Sequence, residues 1–207
     1  ALARALITVE RVPECEAING TRVDLYGVDL PDLGTRVEEL CLGFPVTVLF
    51  NGQPLKRPLA EGHLATQASP IGAVHLAGTL DGKYSHETMV FLQGFCVLKP
   101  TYCLRDELNV VHLDSRQFMA RLPDRDKLID EDVQRKRIDA ELKACWRNTL
   151  EIARTRLSPE RFVETYYAVM RGWGQLDLLN DLDVLPAELC DAIVGYPIQE
   201  GHGSREF

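Results

Sequence analysis

The sequence predicts an α+β chain in which strands come first and helices last. Three observations carry this prediction. Short runs rich in β-branched and aromatic residues, separated by turn dipeptides, fill the chain as far as Leu113. After Asp130 the apolar residues recur every four positions, which is a helical period. Between them, Leu55 to Pro70 contains Pro58 and Pro70 with few apolar residues, an irregular stretch and a boundary. Three segments follow: 1–65, 66–129 and 130–207.

In the first segment, residues 5–11 and 21–28 read as two strands. The second alternates, with Val23 and Leu25 on one face and Arg22 and Asp24 on the other. Asn19-Gly20 is hairpin turn chemistry, so an antiparallel pair is predicted. Leu30-Pro31-Asp32-Leu33-Gly34 breaks the pattern. Val37, Leu40 and Cys41 then stand at i, i+3 and i+4, a short helix ended by Gly43. Phe44 to Phe50 reads as a continuous apolar strand closed by Asn51-Gly52.

The second segment predicts strands at Val74–Gly78, at Thr88–Leu92 and at Leu108–Leu113, with Asp81-Gly82 as a turn. The Thr88 strand is expected to run on through Gln93-Gly94 to Leu98. The chain then turns at Asp114-Ser115, and Phe118 and Leu122 have helical spacing, which places Arg116 in the first turn of a helix. A cation at that point can meet an anion. The same residue also reads as an ordinary surface or salt-bridged arginine.

In the third segment, Ile138, Leu142, Trp146, Leu150 and Ala153 make the stripe of a long amphipathic helix with a solvated, charged face. Ser158-Pro159 ends it and caps a second helix with stripe Phe162, Tyr166, Val169 and Met170. Gly172-Trp173-Gly174 stops that helix. Pro186 starts a last one with Leu189 and Ile193 inward, and residues 199–207 look frayed.

Composition narrows the function classes. Apolar residues make up 45% and charged residues 26% of 207, ordinary for a globular protein. A net charge of -8 disfavours a general grip on nucleic acid, which needs concentrated Lys and Arg. No apolar run approaches a membrane span, and Ala1 to Glu10 lacks the pattern of a secretory leader. The absence of an initiator Met predicts that the chain starts inside a longer protein. Cys15, Cys41, Cys96, Cys103, Cys145 and Cys190 permit three disulfides, but a core of this size needs none. Reduced thiols in a cytoplasmic protein are predicted.

Other reactive residues read as structural. His112 ends an apolar strand and has no nucleophile elbow beside it, so it reads as a core or strand-end histidine rather than a general base. His63, His75 and His86 show no metal spacing. Asp124-Arg125-Asp126 reads as a charged turn. Arg135-Lys136-Arg137 reads as a solvated helix face, and Trp146, Tyr166 and Trp173 as core or interface aromatics.

One family resemblance joins several of these segments. Gly20-Thr21-Arg22-Val23-Asp24-Leu25 resembles the Gly-Thr strand that closes the nucleotide pocket of GHKL ATPases: gyrase B subunits, mismatch-repair ATPases, sensor histidine kinases and the ninety-kilodalton heat-shock chaperones. The short helix and Gly43-Phe44-Pro45-Val46-Thr47-Val48 resemble the chaperone's exit from its ATPase domain. Phe91-Leu92-Gln93-Gly94-Phe95-Cys96-Val97 resembles the strand–x-Gly–strand of the transducer domain. Asp114-Ser115-Arg116-Gln117-Phe118 resembles the segment carrying the catalytic arginine, and arginine rather than lysine is similar to the chaperone branch. The order agrees, over residues 5–125.

The resemblance implies the end of an ATPase sheet, a transducer domain of the ribosomal-protein S-five-like fold with a left-handed crossover, and a helical segment. It implies that Arg116 contacts the γ-phosphate and that Gly20 and Thr21 line the adenine side. ATP and Mg2+ would bind only in the full-length protein. The family's Glu-x-x-x-Asn helix, Asp-x-Gly-x-Gly turn and glycine-rich lid do not occur in these 207 residues, so the chain alone is expected neither to bind nor to hydrolyse ATP. The implied partners are an upstream ATPase domain, a second copy in an ATP-bound homodimer and a protein client. The alternative is a non-catalytic scaffold or interaction module sharing the fold.

Overall fold

The computed structural model describes residues 31–78, 86–100, 108–122 and 125–182. The chain divides into two units, Ala1–Leu33 and Gly34–Phe207, and the elements below belong to the second apart from the first residue of α1. The expected strands at 5–11 and 21–28, the turn at Asp81-Gly82, the helix from Pro186 and the end at 199–207 lie outside the described residues.

Helix α1 spans Leu33–Cys41, as its apolar spacing predicts. The apolar strand expected over Phe44 to Phe50 is not formed. Only β1 (Leu49–Phe50) pairs, with β2 (Gln53–Pro54), around Asn51 and Gly52 at positive φ. Pro45 has no N–H for a ladder, and β2 offers just two residues to pair with. Val46 and Leu49 are accordingly exposed, at 64% and 63%.

A mixed five-stranded sheet follows, formed by β3 (Gln67–Ser69), β4 (Gly72–His75), β5 (Thr88–Leu92), β6 (Phe95–Leu98) and β7 (Asn109–Leu113). Their spatial order is β3-β4-β7-β5-β6. Every neighbouring pair is antiparallel except β5 and β7, which run parallel in register from Thr88 opposite Asn109 to Leu92 opposite Leu113. Gln93-Gly94 does not carry the Thr88 strand on to Leu98, contrary to the expectation from sequence. Both residues take positive φ (54° and 86°), and the chain reverses into β6. Two adjacent positive-φ residues make the tight hairpin turn whose twist matches its strands.

Both faces of the central strands are buried. Val90, Leu92, Val111 and Leu113 join the cluster that holds Ile138, Leu142, Trp146 and Leu150. Met89, Phe91 and Val110 join Leu59 and Leu108 in a second cluster, backed by Leu42 and Leu64. The period of two along each strand thus sends successive side chains into two different cores. Asn109, fully buried on β7, closes the sheet's polar account. Its Oδ1 accepts from Ala77 N–H at 3.1 Å, and its Nδ2 donates to the Glu87 carbonyl at 3.3 Å.

The helix expected from Arg116 through Leu122 is also replaced. Phe118 N–H does bond the Asp114 carbonyl, but the pattern stops after one turn. Arg121 N–H then pairs with the Lys127 carbonyl and Ile129 N–H with the Met119 carbonyl, making a small hairpin. Pro123 follows Leu122 and would cost a helix its hydrogen bond there. Phe118 is buried as the spacing implied, whereas Leu122 is 71% exposed.

The C-terminal helices follow the sequence closely. Helix α2 is Glu131–Arg156, burying Ile138, Leu142, Trp146 and Leu150. Ser158 caps α3 (Pro159–Gly172) through Arg161 N–H, with Pro159 in the first turn. Phe162, Tyr166, Val169 and Met170 are buried. Burial of each such side chain is worth about 1.5–3 kcal/mol. A 3-10 turn at Leu176–Asp181 folds back onto α2: buried Gln175 donates to the Lys143 carbonyl and accepts from Arg147, which also pairs with Asp177. Cys41 and Cys145 are free thiols. No helix among the described residues is long and apolar enough to cross a membrane.

Replacing Asn109 with Ala strands the buried Ala77 N–H without its acceptor. The expected cost is about 1–3 kcal/mol, read as a lower urea midpoint at unchanged slope in denaturation.

Candidate functional site

Strands β5 and β7 end side by side, with Leu92 opposite Leu113. The two turns that leave them, Gln93-Gly94 and Asp114-Ser115, therefore flank one another. Together with Glu61, Gly72 and His112 they line a cleft of about 300 Å³, which Gly43 and Pro45 also border. A cleft at the carboxyl ends of adjacent parallel strands is a common ligand position in α/β sheets.

The turn carrying Arg116 is built by side chains from three segments. Asp114 Oδ1 accepts from Arg116 N–H at 3.0 Å, and its carbonyl accepts from Gln117 and Phe118. Gln117 Nε2 donates to the Pro70 carbonyl at 2.9 Å, tying the turn to the β3–β4 hairpin. Arg137 of α2 donates to Gln117 Oε1 and lies over the Phe118 ring at 4.7 Å. Arg137, expected on a solvated face, is thus a brace for this turn. These N–H donors, Arg116 N–H first and the Gln117 amide second, hold the Asp114 carboxyl below its ordinary range.

Arg116 itself is exposed. Its guanidinium makes no hydrogen bond or ion pair among the described residues. The backbone is fixed while the charged group is left uncommitted. Gly20 and Thr21, the other expected site residues, lie outside the described residues. Among the described residues no group of three or more His, Cys, Asp or Glu is placed to hold a metal. They offer a cation for a phosphate but no ligand set for magnesium.

His112 is more than a strand-end residue. It lies on the opposite face of β7 from Val111 and Leu113, stacked on Phe91 at 5.2 Å and 15°. Its Nε2 is 2.8 Å from the Leu59 carbonyl. A carbonyl only accepts, so Nε2 carries the hydrogen and the neutral ring keeps its lone pair on Nδ1. Burial pushes its pKa below the ordinary 6.5, against smaller upward pulls from the Leu59 bond and from Glu61. The bond fastens residues 55–66, the connector between β2 and β3, onto the sheet; Leu59 N–H also pairs with the Leu42 carbonyl and Arg57 with that of Phe44. Beside it, Gly72 has φ of +136°, and a Cβ there would lie 2.1 Å from the His112 carbonyl oxygen. Alternation along β7 was the sequence signal for the orientation of His112. Its partner Leu59, 53 residues away, had none.

Because His112 is held neutral, its contribution to stability is complete above the unfolded pKa of about 6.5 and shrinks as pH falls below it. Urea denaturation from about pH 7 to about pH 5 should show falling stability, with a smaller fall in His112→Gln. Partial desolvation also lowers the pKa of the exposed His86, against an upward pull from Glu87, so His86 supplies a remaining part. An identical pH slope in the variant would contradict this assignment.

No protein-family model, curated protein or solved structure matches the chain.

Proposed function

We propose that this chain is the coupling portion of a GHKL-type ATP-dependent protein, in which Arg116 meets the γ-phosphate of ATP held by an upstream ATPase domain. The observation that carries the reading is the Arg116 turn. Its backbone is locked by Asp114, Gln117 and Arg137, while its guanidinium is exposed and unpaired among the described residues. A charge presented in this way loses little freedom on meeting a ligand, and a planar guanidinium can bond two phosphate oxygens at once.

The arrangement supports coupling as well as sensing. The sheet with α2 and α3 on one face is read as the transducer domain, of the ribosomal-protein S-five-like type. Docking of the arginine on the phosphate would draw β7, and with it the connector fastened at His112, toward the nucleotide. Arg116 would neutralise charge as it develops on the γ-phosphate. Magnesium and the attacking water would be held by residues of the upstream domain. A second copy and a protein client complete the proposed assembly, and the proposed compartment is the cytoplasm.

The test is steady-state ATP turnover by the complete protein that carries this chain. Arg116→Ala should lower kcat by about 10- to 1000-fold, as for loss of one positioned donor to a developing anion. ATP affinity should change far less, and thermal stability little, because the exposed guanidinium makes no hydrogen bond or ion pair among the described residues. Unchanged turnover would remove the ATP-sensing role and leave a non-catalytic interaction module.

A further inference from the structure

We propose that the groove on the 119–129 hairpin docks an acidic peptide segment of a partner protein, apolar side chains in the groove and carboxylates on Arg121 and Arg125. This does not rest on the ATP reading and uses different residues. The groove, of about 470 Å³, has Phe118 in its wall and Met119, Leu122 and Ile129 around it, with both arginines among its lining. Met119 and Leu122 are 68% and 71% exposed. Large apolar side chains grouped this way around a concavity mark a contact surface rather than chance exposure.

The described arms that carry the groove, 118–122 and 125–129, are held before anything binds. Phe118 and Leu128 anchor the hairpin in the core, at 2% and 3% exposure. Its two arms are joined by Arg121 N–H to the Lys127 carbonyl at 2.8 Å and Ile129 N–H to the Met119 carbonyl at 3.0 Å. A preformed site avoids the ordering cost of binding.

Charge selects the occupant. The chain as a whole carries -8, yet the charged residues among the described lining of the groove are Arg121 and Arg125. The guanidinium of Arg121 meets Asp126 only at 3.7 Å with both side chains exposed, a contact too weak to occupy it. Arg125 lies over the Phe95 ring at 5.6 Å, which leaves its edge donors for a carboxylate. A basic rim around an apolar groove complements a peptide with acidic residues beside leucine-like anchors. The concavity favours inserted side chains over a flat bilayer surface, and the apolar lining favours a peptide over phosphodiester.

The probe is a fluorescent nonapeptide, Glu-Glu-Leu-Ser-Glu-Leu-Leu-Glu-Glu, titrated with the full chain and followed by anisotropy. Its twin has lysine at every glutamate. Saturable binding of the acidic peptide alone is expected. Met119→Ser and Leu122→Ser should each raise Kd about tenfold, as for loss of an apolar anchor. Arg121→Glu with Arg125→Glu should abolish binding of the acidic peptide and admit the lysine twin. All four side chains are exposed, so unchanged melting temperatures serve as the folding control. Absence of binding, equal binding of the two peptides, insensitivity to all these variants, or binding only to vesicles of anionic lipid would each overturn the proposal.

Discussion

The parallel pairing of β5 with β7 is the constraint on which the rest of the structure depends. It places Met89-Val90-Phe91-Leu92 and Val110-Val111-His112-Leu113 side by side at the centre of the sheet. Parallel strands of this kind must be covered on both faces. One face therefore requires α2 and α3, and the other requires the connector with Leu59 and Leu64. Removing either cover would leave a row of large apolar side chains in water. Because the two strands end in register, the turns that follow them converge on a single cleft.

That convergence joins packing to possible function. The turn after β7 is not held by its own strand alone. It is anchored at Pro70 by Gln117 and braced from α2 by Arg137. Displacement of this turn would be felt in the β3–β4 hairpin and in the long helix. The His112–Leu59 bond adds the connector to the same strand. A side chain presented from such a turn starts from a fixed backbone, which a mobile surface loop does not provide.

The departures from the sequence reading have separate causes. Gln93-Gly94 has the composition of a turn inside a longer apolar run, and a run by itself does not say whether the chain continues or reverses. Phe118 and Leu122 have helical spacing, but two matches in one turn and a half are weak evidence when Pro123 follows. Arg137 looked solvated because its partners, Gln117 and Phe118, come from another element. For Arg137 the deciding contact lies about 20 residues away, whereas the two hairpins are closed by pairings between near neighbours in the chain.

What the sequence determined by itself is the local part: the α+β class, α2 and α3 with their buried stripes, the Ser158 cap with Pro159, and the extended runs at β5 and β7. These follow from periodicity and from side chains acting on backbone within a few residues. Tertiary structure alone decided that β7 inserts between β4 and β5, that His112 fastens Leu59, and that Arg116 stands on a braced turn instead of a helix. Strand backbones present the same donors and acceptors whatever their sequence, so partner choice is settled only when both faces of the sheet find their covers.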